Sequence, residues 1–184
     1  MRRFLLLGSG SILLIIGLIT AESILLHPLP RSSQTPPSTE TTNQEHQNRV
    51  QDIIAQMQFT AQESAEDTLL KQIATNDVPT NTLVLLAEND RSGLLSWIKS
   101  PDAHLYFSAL KEALSASFSP ELHDLRDDRE ELPKNRTREI LSFRDPALSA
   151  EQITIILSGN TIYEFHISPG KEERISPLIE ALTM

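Results

Sequence analysis

Cysteine is absent from the chain. That excludes disulfides, which an exported protein would otherwise be free to form. It also excludes attachment to a membrane through a lipid-modified cysteine. Aromatic residues are scarce, at 5%, with one tryptophan. Glycine is sparse too, six in 184 residues, and none belongs to a phosphate-cradling loop. Gly170-Lys171 has neither the upstream glycine nor the following Ser or Thr that such a loop needs. With no cofactor motif present, no cofactor is expected. Positive charge is also in short supply, leaving the chain at −9. Arg2, Arg3 and Arg31 balance Glu22, Glu40 and Glu45, so all of that excess falls on residues 49–184. An acidic surface repels phosphate backbones, so nucleic acid is not an expected partner.

What the chain does have is one long uncharged stretch, Phe4 to Ala21, directly behind Arg2 and Arg3. A signal peptide carries an apolar core of about 7–15 residues, whereas a membrane-crossing helix needs about 20. Ile24, Leu25 and Leu26 resume the apolar character past Glu22. Length therefore favours an uncleaved anchor over residues 1–26. The alternative is a signal peptide cleaved near Ala21 or Ser23, which would leave the domain secreted. Arg2 and Arg3 are the topology-determining residues. Basic flanks stay cytoplasmic, so the N-terminus is expected inside and the remainder outside. The implied location is the cell membrane, with a single pass and an extracytoplasmic C-terminal domain.

Residues 27–48 are dominated by Pro, Ser, Thr and Gln, with Leu29 as the lone aliphatic residue. Such a segment buries too little apolar surface to offset its ordering entropy, so it reads as a disordered linker. His27 and His46 both fall within it. Residues 49–184 are then enough for one domain with a single core.

The fold class read from this domain is α+β: several helices, then a three-stranded antiparallel meander and a C-terminal helix. Val50, Ile53, Ile54 and Met57 recur on one helical face. Thr60 with Glu63 has capping-box form, with Ala65, Leu69, Leu70 and Ile73 continuing the stripe behind it. Leu83 to Ala87 is short enough to be strand or helix. Ser100-Pro101 opens a helix whose apolar face is Leu105, Ala109, Ala113 and Ala116, widened by Leu110 and Leu114. Ser119-Pro120 repeats the opening, and the charged residues up to Pro133 read as a surface helix. Period-two alternation then begins. Residues 152–157 and 161–167 flank Ser158-Gly159-Asn160 as a hairpin, and 137–144 is added as the third strand. Tyr163, Phe165 and Ile167 share the core face, with Ile162, Glu164 and His166 opposite. Ile175, Leu178, Ile179 and Leu182 mark the last helix, with Pro177 interrupting the stripe.

Chemistry-bearing residues are few. On a helix, His123 with Asp127 and Asp124 with Asp128 would be i, i+4 pairs on one face, and imidazole with carboxylate can bind a divalent metal. These four are weak metal candidates, since the interleaved Arg126, Arg129, Glu130 and Glu131 give the pattern of a solvated, ion-paired face. Ser96-Trp97-Ile98-Lys99 is similar to the serine-x-x-lysine element of penicillin-binding enzymes, and Ser158-Gly159-Asn160 is loosely similar to their second element. Their third element, lysine-threonine-glycine, is absent. His104 and His166 have no sequence neighbour that would make either a base. The architecture therefore points to a membrane-anchored, non-catalytic binding or assembly module acting on a protein partner near the membrane. The competing class is a secreted or tethered enzyme, for instance a metal-dependent hydrolase using residues 123–128.

Overall fold

A computed structural model describes residues 39–74, 78–116, 123–133, 136–144 and 150–184, leaving out the side chains of 39–42, 123 and 124. The expected anchor, Arg2 and Arg3, and the first part of the expected linker lie outside these residues. No described helix is long and apolar enough to cross a membrane.

The elements run α1 (Thr39–Gln56), β1 (Thr60–Glu63), α2 (Leu69–Ile73), β2 (Asn81–Ala87), β3 (Asp90–Lys99), α3 (Ala103–Ala116), β4 (His123–Leu132), β5 (Arg136–Arg144), β6 (Gln152–Ser158), β7 (Thr161–Ile167) and α4 (Glu172–Thr183). All seven strands join one antiparallel sheet in the order β1-β2-β3-β7-β6-β5-β4. Each sheet face carries its own apolar cluster. On one, α2 and α3 bury Leu70, Ile73, Phe107 and Leu110 against Ile98, Leu141, Ile155 and Ile162. On the other, α1 and α4 bury Val50, Ile54, Ile175 and Leu178 against Leu95, Trp97, Tyr163 and Phe165.

This corrects the expected fold class. The domain is mostly strand, and a seven-stranded sheet between two helical layers replaces a helical half followed by a three-stranded meander. Thr60 and Glu63 do not cap a helix. Gln58, at φ 61°, takes the chain out of α1, and residues 60–63 then pair with Leu86 to Leu83 as a short edge strand. The continued stripe shrinks to the five residues of α2. Glu88 and Asn89, at φ 54° and 65°, form a two-residue turn with the twist that antiparallel neighbours require. Gly93 lies within β3, where a Cβ would sit 2.2 Å from the His166 carbonyl oxygen of β7. Ser119 and Pro120 lie outside the described residues, and the charged run from His123 to Leu132 is strand β4, not a surface helix. Opposite charges face each other across its pairing with β5, Arg129 with Glu139 and Glu130 with Arg138. A densely charged strand is well suited to a sheet edge, where it discourages pairing with another chain.

Other local readings agree with the structure. The β6–β7 hairpin turns at Gly159 (φ 58°), with Ser158 paired to Thr161, and β5 joins β6 antiparallel. α3 follows Ser100, whose hydroxyl accepts from the Asp102 amide at 3.1 Å. Its buried stripe is rotated to Ala103, Phe107, Leu110 and Ala113, because Phe107 has more surface to bury than Leu105, which is 67% exposed. α4 is one helix running through Pro177, which lies on its exposed side where water can reach the carbonyl that lost its donor. α1 begins inside the segment read as linker, so His46 is part of the fold.

Candidate functional site

Two polar places stand out, one closed and one open. The closed one lies beneath α2. Glu164 of β7 was expected on a solvated face, yet it is completely buried. Its Oε1 accepts from the Leu69 amide at 2.9 Å and its Oε2 from the Leu70 amide at 2.8 Å. A five-residue helix leaves most of its early N–H groups without intrahelical acceptors, and this carboxylate satisfies two of them. His166 Nε2 lies 2.7 Å from Glu164 Oε1, which as an acceptor assigns the ring proton to Nε2. Nδ1 of the same ring faces Glu151 at 3.7 Å, and Glu151 in turn lies 3.6 Å from Arg91. Arg91 closes the chain with a two-pronged contact to Glu66, at 2.8 and 3.0 Å, which holds the Glu66 carboxyl below its ordinary range.

Next to Glu164 on the same face, Ser96 gathers three partners. Its single proton goes to the Asn81 carbonyl at 3.0 Å. The hydroxyls of Thr82, at 3.1 Å, and Thr68, at 3.3 Å, therefore donate to its oxygen. Thr68 also caps α2 by accepting from the Lys71 amide. Lys71 Nζ reaches the Glu66 carbonyl at 2.5 Å. The Thr68–Ser96, Leu69–Glu164, Leu70–Glu164 and Glu66–Arg91 bonds tie the segment 64–71 to the sheet, and the others brace each side, so the network works as a clamp.

The open place lies on the other face, along the flank of α4. A cleft of about 590 Å³ has Ile167, Pro177 and Ile179 as its apolar surface. Gln152, Thr154 and Ser176 supply amide and hydroxyl groups, and Glu172 and Glu173 supply acid at one end. The sheet continues beyond it into β5, whose Ile140 and Ser142 on this face are only half buried. Arg144 is within 3.7 Å of Glu172, and both are substantially exposed. The arrangement offers an apolar floor, hydrogen-bonding groups and an acidic end, open enough for a side-chain-bearing segment of another chain.

The residues singled out from sequence are not brought together into a reactive site. His123, Asp124, Asp127 and Asp128 lie on β4, where positions four apart are roughly 13 Å distant instead of one helical turn. Asp127 pairs with Lys111 at 2.5 Å. The described residues hold no cluster of three or more His, Asp or Glu that could bind a metal. Ser96 and Lys99 are three apart on a strand and so point to opposite faces. That geometry denies Ser96 the lysine that the serine-x-x-lysine match would require. His104 is exposed on α3.

Glu164 was the residue that sequence reasoning missed. Its signal was Ile162 on the supposedly solvated face, together with the nearly unbroken apolar run of residues 153–157. Both mark central strands buried on two sides. No family model, curated protein or solved structure matches the chain.

Proposed function

We propose that the chain is a membrane-anchored, single-pass module whose extracytoplasmic domain binds a protein partner without catalysing a reaction. The observation that supports this most is the cleft beside α4. It is wide and shallow, and its acidic end at Glu172 and Glu173 complements a partner segment bearing lysine or arginine next to apolar side chains. The anchor and cytoplasmic N-terminus rest on the uncharged stretch behind Arg2 and Arg3, together with the chain's lack of cysteine.

A photo-crosslinking residue at Ser176, in the full chain in intact cells, tests the reading. A protein adduct is expected from position 176 and not from Leu105, which is 67% exposed on the opposite layer. The double change Glu172→Lys, Glu173→Lys should remove the adduct; because both carboxylates lie in the first turn of α4, the melting temperature should fall, but by less than about 10 °C, with a cooperative melt retained. An adduct that survives charge reversal, or that forms equally at Leu105, overturns the cleft as the binding surface.

A further inference from the structure

α1 has two unlike halves. Val50, Ile53, Ile54 and Met57 in its second half pack into the core. Residues 39–48, TETTNQEHQN, contain no aliphatic hydrocarbon side chain and no Phe, Tyr or Trp. Gln44 Nε2 donates to Asn48 Oδ1 along the helix, at 3.2 Å. His46 and Gln47 are where this half meets the sheet, His46 through its ring. Its Nε2 lies 3.3 Å from the Tyr163 hydroxyl, and the two rings are 6.1 Å apart at 42°.

We propose that the first half of α1 is an acid-released arm: His46 seats it on Tyr163 while neutral, and protonation of His46 lifts it off. The charges acting on the ring are both positive, Lys99 from β3 and Arg49 one position short of a turn along α1. Tyr163 of β7 is a neutral partner, its hydroxyl pushed up to about 12 chiefly by burial. From α4, the other helix packed on α1, Leu178 and Leu182 face this cluster, while Glu180 is engaged with Arg138. β1 contributes Glu63, which lines a cleft of about 240 Å³ with Gln47 and Trp97. Burial first, then Lys99 and Arg49, bring His46 down from 6.5 to about 4.

The sign follows from that depression. The docked arm takes up the proton less readily than the free one, so docking is at its full strength above about pH 6.5. It weakens by at most about tenfold per pH unit down to about pH 4, less where solvent screens the half-exposed ring. Released, residues 39–48 could extend from roughly 15 Å as helix to about 33 Å. Release would also uncover Tyr163 and the Trp97 side of the smaller cleft.

Hydrogen exchange of the full chain in detergent micelles, corrected for the intrinsic effect of pH, tests the proposal. Amides of 43–48 should lose at least about tenfold protection between pH 7 and pH 4, while those of β3 and β7 keep theirs. Acrylamide quenching of Trp97, the only tryptophan, should rise over the same range. His46→Gln should abolish the pH dependence of both readouts. Protection of 43–48 that is independent of pH, an unchanged transition in His46→Gln, or parallel loss of protection in β7 would each overturn the arm.

Discussion

The two faces of the sheet solve the same burial problem by different means. Beneath α2, the interior contains a fully buried glutamate, a histidine and three hydroxyl side chains, each given a partner by the segment 64–71 or the neighbouring strand. Beneath α1 and α4, the centre is aliphatic and aromatic; its polar groups sit at the margins, as buried Arg138 bonded to Thr183, Glu180 and Glu130, as the cleft at Gln152 and Glu173, and as His46. A helix as short as α2 cannot anchor itself with Leu70 and Ile73 alone, so charge-assisted hydrogen bonds supplement its packing. α4, at more than twice that length, buries Ile175, Leu178 and Leu182 in one stripe and leaves its flank open. Most polar groups on the first face are consumed in holding the fold, Gln72 Oε1 and Ser92 Oγ being buried without a partner among the described residues, whereas those lining the cleft on the second remain available to a partner.

The contrast can be broken most severely at Phe165, which is 0% exposed in the apolar cluster. Phe165→Asp places an unpaired carboxylate there, at a cost comparable with a total stability of about 5–15 kcal/mol. No cooperative urea transition should remain; a two-state melt near that of the parent would place Phe165 outside the core. Glu164→Ala should come next. It leaves the Leu69 and Leu70 amides and His166 Nε2 without their acceptor, a loss of roughly 2–4 kcal/mol. A change below about 0.5 kcal/mol would mean that α2 does not depend on this clamp. The smallest effect should be at the rim. Lys111 and Asp127 are 41% and 45% exposed, and such pairs contribute about 0–1 kcal/mol. Asp127→Asn should therefore shift the urea midpoint barely at all, and less still in high salt. A large shift there would show that the β4 edge carries more of the stability than either face.

Legibility in the sequence followed the range of the forces involved. The β6–β7 hairpin could be read from period-two alternation around Ser158-Gly159-Asn160, because turn and strands are neighbours in the chain. The same holds for the opening of α3 at Ser100-Pro101 and the stripe of α4. β4 was misread because its residues, HDLRDDREEL, suit a solvated helix as well as an edge strand. Pairing with β5 decides between them. β1 was misread for a similar reason: a capping box depends on its local context, and Gln58 had already ended the helix.

The candidate sites divide along the same line. Local pattern determined that residues 4–21 are uncharged behind two arginines, that the domain is acidic, and that no cysteine or nucleotide-loop chemistry is available. Only the tertiary structure could decide that Glu164 is buried against a helix 94 residues away, or that His46 rests on Tyr163 from 117 residues away. Neither separation leaves a trace in local periodicity. Alternation reports which side chains share a face, while the burial of that face depends on which distant helix comes to cover it.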